Sequence, residues 1–433
     1  MSALAADKDL MELAARLYPI CRSITGAGLR QTLRILAGSV PLELVEVPSG
    51  TAVFDWEVPL EWNIESARLM EPSGRVVADF AQHNLHIVNY SEPVSATVPF
   101  EELKSRLHVS NRDPGWIPYK TSYYRRNWGF CVRARDLQGF VPGDYRVEIA
   151  STLQPGSLTY GELLLPGASS REVLVFTHAC HPSLANDNVS GLVVTAALAQ
   201  WLADRPRRYS WRFVFAPGTI GSLCWLRNNE QNLGSIEHGL VLGLLGNLAP
   251  WTYKKSRRGD AVIDDIVPHV LRELDPQSGV IDFEPYGYDE RQLCSPGFNL
   301  PVGRLTRSVN DGYAQYHSSA DDLSLISSEA MRQSLEACKA IVEVLEGNGR
   351  YVNLLPKGEP RLGKRGLYGS MGGNSPADSE RAMLWVLNQS DGHSSLFDIS
   401  RRSGMDFEVV RSAAKALQGA GLVVEQSNGG HAK

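Results

Sequence analysis

The segment Thr177-His178-Ala179-Cys180-His181-Pro182-Ser183-Leu184-Ala185-Asn186-Asp187-Asn188-Val189-Ser190-Gly191 decides how this chain is read. It follows the run 173–177, Val-Leu-Val-Phe-Thr, whose unbroken apolar character predicts a buried strand. It precedes residues 191–202, which read as a helix. Two imidazoles and a carboxylate therefore sit between a strand end and a helix start, where α/β sheets place their ligands. Nitrogen and oxygen donors on one short loop suit Zn²⁺. The alternative is that Asp187 or Asn188 simply caps the helix while the histidines bond locally.

Outward from this loop the pattern continues as strand and helix in turn. Strands are expected at 211–215 and 240–245, and helices at 220–230, 261–274 and 323–345. Such alternation implies an α/β sheet. Upstream, residues 7–38 read as two helices broken at Ser23-Ile24-Thr25-Gly26-Ala27-Gly28, followed by a strand at 42–47. Between 52 and 150, short β-like runs (75–78, 85–88 and 145–149) alternate with Pro, Gly and Asp turns, which reads as an inserted all-β domain. A Gly-, Pro- and Lys-rich stretch follows the core and ends in a glycine cluster, Gly369, Gly372 and Gly373. The expected organisation is a core of residues 1–51 and 151–350, an insert of 52–150, a linker of 351–377 and a small winged helix of 378–433.

The composition sets bounds on function. The 433 residues carry a net charge of −5, and 43% are hydrophobic. That excludes a polybasic nucleic-acid binder at whole-chain level and a disordered chain. In residues 380–433 six basic residues, Lys433 among them, meet six acidic ones, so the winged helix supplies little phosphate neutralisation. Docking or self-association is its expected role, and nucleic acid is not an expected partner. The six cysteines are scattered with no C-x-x-C pair, so no disulfide framework or zinc ribbon is indicated. No run of about 18 apolar residues occurs, and charges crowd the first turns, so neither a membrane span nor a signal peptide is expected. A reduced cytoplasm is the expected location.

Two further segments carry chemistry. Tyr316-His317-Ser318-Ser319-Ala320-Asp321 puts another histidine in a loop before a helix. Tyr288-Asp289-Glu290-Arg291 sets two carboxylates before the turn Gly297-Phe298-Asn299-Leu300-Pro301. A run of aromatic residues and arginines, Tyr123-Tyr124-Arg125-Arg126-Asn127-Trp128, lies in the insert; it is either the core of a β domain or a source of one tyrosine, such as Tyr123, for the site. Lys254-Lys255-Ser256-Arg257-Arg258 reads as a solvated basic loop.

In this order the motifs resemble the zinc-dependent aminopeptidases of phosphorylase-like α/β/α fold, a group that includes glutaminyl cyclases. The whole chain is similar to a branch of aminopeptidase-like proteins with a β-rich insert and a C-terminal winged helix; CHPSLANDNVSG, PYKTSYYRRNWGFC and GEPRLGKRGLY look like its hallmarks. The resemblance implies a three-layer α/β/α core and a metal held by Asp187, His317 and His178, His181 or both. Relatives place a Glu-Glu pair after the strand at 211–215, where this chain reads Ala216-Pro217-Gly218-Thr219. They also place an Asp after the next strand, where it reads Gly246-Asn247. The ligands that remain suffice for about one zinc per chain. If both His178 and His181 bind, four protein ligands close a tetrahedral, structural site.

Asp289 and Glu290 are then the expected proton carriers, and Arg291 a fork for a substrate carboxylate. The leading expectation is a metal-dependent hydrolase of an amide bond in a small peptide-like or acylated substrate. A cyclase or acyl-transfer enzyme of a biosynthetic pathway and a non-catalytic peptidase-fold adaptor are the alternatives.

Overall fold

The computed structural model describes residues 7–309, 312–367 and 378–426. Residues 1–339 and 340–433 form two compact units.

The first unit is built on an eight-stranded mixed sheet. Its strands run in the order Glu43–Pro48, Ser157–Leu165, Ser210–Ala216, Glu172–His178, Ile236–Leu242, Val302–Thr306, Thr252–Lys254, Gly279–Ile281. The four strands from Ser210–Ala216 to Val302–Thr306 are mutually parallel. Glu172–His178 lies between two parallel neighbours, and all seven of its residues are buried. A strand covered on both faces has no polar side to present, which is why its sequence does not alternate. The chain leaves it through helix Gly191–Ala203, pairs Ser210–Ala216 on one side, then crosses back through Ile220–Asn229 to Ile236–Leu242 on the other. Right-handed crossovers in opposite directions put these helices on opposite faces, which makes the three layers.

The insert forms its own antiparallel sheet, in the order Val76–Asp79, Glu61–Met70, Asp144–Gln154, Val94–Pro99. Ala67, Leu69, Val98, Phe130, Tyr145, Val147 and Ile149 fill its core. A second cluster joins Leu85, Val88, Ile117, Tyr119 and Cys131 of the insert to Leu184 of the His-Asp loop. The insert is therefore packed directly on that loop.

In the second unit, Arg350–Asn353 is the central strand between Asp391–Ser395 and Val423–Glu425, with helices Asp378–Gln389, Leu396–Ser403 and Phe407–Gly419. The sequence reading gives residues 351–353 to a linker, yet their backbone is paired on both sides. The glycines at 369–373 and Lys433 lie outside the described residues. Helix Leu396–Ser403 starts on a reciprocal cap: Asp398 N donates to Ser395 Oγ at 3.2 Å and Ser395 N to Asp398 Oδ2 at 2.9 Å. Ser395→Ala is expected to destabilise this unit by about 1 kcal/mol, read from amide hydrogen exchange of helix Leu396–Ser403.

Some expected boundaries shift. The strand expected at 240–245 is Ile236–Leu242. The helix expected from 323 starts at Ser328, because Asp322 Oδ1 accepts from Ser324 N at 2.8 Å and Ser324 Oγ at 2.6 Å and holds a turn instead. All six cysteines are free thiols. Among the described residues no helix is long and apolar enough to cross a membrane.

Candidate metal and active site

His178 ends the central strand, and the loop after it turns back so that Asp187 faces it. The loop is pinned from several sides. Asp321 accepts from Asn186 N at 2.6 Å and Asp187 N at 3.1 Å. Asn188 Nδ2 donates to Thr177 Oγ1 at 2.9 Å and His178 O at 3.0 Å, while its Oδ1 accepts from Leu244 N at 3.1 Å. Leu245 N donates to Ser190 Oγ at 3.0 Å and Gly246 N to Asn186 Oδ1 at 2.9 Å. Three successive backbone N–H groups after strand Ile236–Leu242 are thus satisfied by side chains of the loop, not by a ladder.

Gly191 lets this packing close. A Cβ there would stand 2.2 Å from Asn188 Oδ1 and 2.7 Å from its Cγ. Gly191→Ala is therefore expected to displace Asn188 and cost at least about 2 kcal/mol, since buried groups left unpaired cost roughly 1–3 kcal/mol each. Differential scanning calorimetry of the metal-free protein checks it.

The donors converge on Asp187. His178 Nε2 lies 2.8 Å from its Oδ1, His181 Nδ1 3.6 Å from the same oxygen, and His317 Nε2 3.0 Å from Oδ2. Donor atoms of His178, His181 and Asp187 lie within 4.8 Å of one another. His181 Nδ1 and His317 Nε2 are buried atoms with no hydrogen-bond partner, although each stands near the carboxylate. Close approach without hydrogen-bond angles is what two lone pairs aimed at a common third point produce. Burial pushes the His181 imidazole down to about 3, outweighing the pull of Asp187. Burial opposes the Asp187 charge, yet His181, His178 and His317 hold its carboxyl well below the usual carboxylate range. A carboxylate facing neutral imidazole nitrogen is the protonation state that a cation requires. The donor set fits a metal ion.

His178 is the donor whose tautomer has to change. Asn188 Nδ2 stands 3.3 Å from His178 Nδ1, and the Asn188 amide is oriented by its bond from Leu244 N. Nδ1 thus accepts, and Nε2 gives its proton to Asp187.

Aromatic rings wall the site. Tyr288 stacks on His178 at 4.2 Å and gives its hydroxyl proton to Asp187 Oδ2 at 2.9 Å. Tyr316 stacks on His317 at 3.9 Å. Tyr119 sets its ring edge-to-face against His181 at 5.2 Å and His317 at 5.1 Å. This tyrosine comes from the insert, whose backbone pairs with the histidine loop: Tyr119 N donates to His317 O at 2.8 Å and Ile117 N to Ser319 Oγ at 3.0 Å. His317 is held at φ 54°, left-handed backbone that a non-glycine residue adopts at a cost. Tyr123, the insert residue expected at the site, reaches it through Tyr119, hydroxyl to hydroxyl at 2.9 Å.

Asp289 and Glu290 part company. Asp289 is buried beside His178, and a Cβ on Gly218 would stand 3.2 Å from its Oδ2 and 3.4 Å from His178 Cβ. Its carboxylate thus occupies space over the segment 216–219, where the resemblance places the absent Glu-Glu pair. Neither oxygen has a hydrogen-bond donor: the neighbouring Ser222 hydroxyl gives its proton to Thr219 O at 2.7 Å. Burial pushes Asp289 up to about 6, against the pull of His178. Glu290 faces elsewhere, its Oε1 2.9 Å from Lys254 Nζ and 3.4 Å from Arg304 Nη1. Lys254, read as part of a solvated loop, is buried in that pair. Arg291 is half-buried, and its Nε makes no hydrogen bond. Cys180 points its thiol at Gly218 O, 3.7 Å away, and burial pushes it up to about 12.

Comparison with known proteins matches this architecture. Residues 11–348 match the family described as "Domain of unknown function (DUF4910)", and residues 349–425 a winged helix-turn-helix. A protein of Clostridium acetobutylicum, named for polysaccharide biosynthesis and an aminopeptidase-like domain, is 46% identical over 411 residues, covering 94% of each chain. A crystal structure from the same organism, described as a peptidase, shares 44% identity and superposes with a TM-score of 0.91 over 97% of this chain and 96% of that one. A zinc aminopeptidase of Bacillus subtilis is 14% identical, with a TM-score of 0.56 over 80% of this chain and 96% of that one. The chain therefore belongs to the DUF4910 family, an uncharacterised branch that joins an aminopeptidase-like α/β fold to a C-terminal winged helix.

Proposed function

We propose that the protein is a metal-dependent hydrolase of an amide bond in a small peptide-like or acylated substrate, with zinc as its metal. The observation that carries this reading is the convergence of His178, His181 and His317 nitrogens on the Asp187 carboxylate, with two of the nitrogens left without a hydrogen bond. Zinc is favoured by the nitrogen-rich donor set and by the zinc aminopeptidase of similar fold. The name of the Clostridium relative supports a biosynthetic rather than a digestive substrate.

An open zinc site would take three of these four donors and leave the fourth position to water; zinc would there polarise the scissile carbonyl and lower the pKa of water to about 7. The chain supplies the rest. Asp289 is the proton carrier: as a carboxylate it accepts a proton from the attacking water, and as the acid it returns that proton to the leaving nitrogen. The His317 side chain, 34% exposed, marks the side on which substrate enters. Tyr119, Tyr288 and Tyr316 line the donors with rings and keep bulk water from them.

The test is a screen of aminoacyl and acyl amides at pH 7–8. Hydrolysis is expected to stop with chelator and return with zinc. Asp289→Asn is expected to lower kcat by about 100–10,000-fold while KM and zinc content stay near wild type. Because Asp289 must be ionised to accept a proton, kcat is expected to rise with pH on an acidic limb at or below about 6, a bound cation favouring the carboxylate further. A pH profile of kcat without that limb, unchanged in Asp289→Asn, removes Asp289 from the mechanism.

A further inference from the structure

Arg22 lies in the break between the first two helices and is 1% exposed. Its guanidinium spans three segments. Nη1 donates to Leu17 O at 2.6 Å and approaches Thr32 Oγ1 at 3.4 Å, while Nε donates to His181 O at 2.9 Å. Each acceptor is uncharged, and Nη2 has no hydrogen-bond partner. Leu17 is the last residue of helix Asp7–Leu17, so the charge rests against the negative end of a helix dipole.

Burying a guanidinium without an acid partner is expensive, and helices pack as well on leucine or methionine. What an aliphatic side chain does not provide is a rigid donor fork joining the helix end to the carbonyl of a residue that bears metal-facing nitrogen. The surrounding bonds serve the same junction. Ser183 Oγ donates to Tyr18 O at 3.2 Å, Asn84 Nδ2 to Pro19 O at 2.9 Å and to Ser183 Oγ at 2.6 Å, and Asn89 Nδ2 to Arg22 O at 2.9 Å. The segment 18–23 is thus fixed between the loop that carries His181 and the insert that carries Tyr119.

We propose that Arg22 is a positioning residue of the metal site: it sets the place of His181 by holding that residue's carbonyl, and couples the docking of the N-terminal helices to metal affinity. This rests on the reading of His181 as a metal donor together with Asp187 and His317.

The experiment measures zinc affinity of the full-length protein by competition with a chromophoric chelator, alongside metal-free melting temperature. Arg22→Lys keeps the charge at the helix end but cannot fork to both carbonyls. It is expected to melt within a few degrees of wild type and to bind zinc at least about 10-fold more weakly, the scale of loss when groups behind metal ligands are changed. Thr32→Val removes a contact that does not reach His181, and is expected to bind zinc as wild type does. Arg22→Met is expected to lose more affinity than Arg22→Lys. If it does not fold, the comparison of Arg22→Lys with Thr32→Val still decides. Wild-type affinity in Arg22→Lys overturns the proposal, as does an equal loss in Thr32→Val. Absence of zinc binding by the wild type overturns the metal reading itself, a separate outcome.

Discussion

Asp187→Ala is expected to abolish metal binding and to lower hydrolysis at least about 100-fold. The estimate is a floor, because residues behind metal ligands already cost roughly 10–100-fold. Asp187 stands at the centre of the donor set, with three imidazoles and the Tyr288 hydroxyl turned toward its two oxygens. Removing it leaves the imidazoles with no negative charge between them to offset a divalent cation. Asp187→Asn separates charge from shape. It keeps a side-chain oxygen that can accept from Tyr288, so the metal-free fold is expected to survive while zinc affinity and activity fall nearly as far as in the alanine variant. Titration with zinc under calorimetry, followed by the amide screen, checks both. Activity that survives in Asp187→Asn while zinc is lost would separate catalysis from the metal.

Lys254→Met is expected to destabilise the first unit by about 1–3 kcal/mol, since Glu290 and Tyr286 O lose the ammonium while Arg304 stays 3.4 Å from Glu290. Lys254 and Glu290 are both fully enclosed, at 2% and 0% exposure, and Lys254 Nζ also donates to Tyr286 O at 2.6 Å. Gly287 closes the pair from above. It adopts φ 148°, and a Cβ there would stand 2.1 Å from Glu290 Oε1. The double variant Lys254→Met with Glu290→Gln also takes away the carboxylate that faces buried Arg304, and is expected to be no more stable than Lys254→Met alone. Urea unfolding of the two variants beside the wild type is the measurement. A single variant as stable as wild type would mean that Glu290 finds water in place of Lys254, and would return it to the list of carboxylates open to substrate.

The central strand and the loop after it were legible because their signals are local. An unbroken apolar run followed by histidine and an Asp-Asn turn carries both the strand and the site in one stretch. What lay hidden depends on contacts made across long separations. Ile117 bonds Ser319 across 202 positions, and that pairing brings Tyr119 to His317. Nothing at residues 116–119 marks one aromatic ring there as a wall of the site. The strand expected at 240–245 was misplaced because Leu244 and Leu245 are apolar and buried, yet their N–H groups bond to Asn188 and Ser190. Charge patterns failed in a similar way. Lys254 reads as part of an exposed basic run and Glu290 as the twin of Asp289, and only the fold turns them toward each other. Arg22 lies in a stretch that reads as a helix break, and its three acceptors come from both sides of the break and from residue 181.

The metal site is tested most directly by the metal content of the protein purified with zinc present and then freed of loose ions, measured by inductively coupled plasma mass spectrometry in wild type and Asp187→Ala. About one zinc per chain is expected in the wild type and nearly none in the variant. A folded wild type that carries no metal, or an Asp187→Ala protein that keeps it, would contradict the assignment of this site and the hydrolytic chemistry built on it.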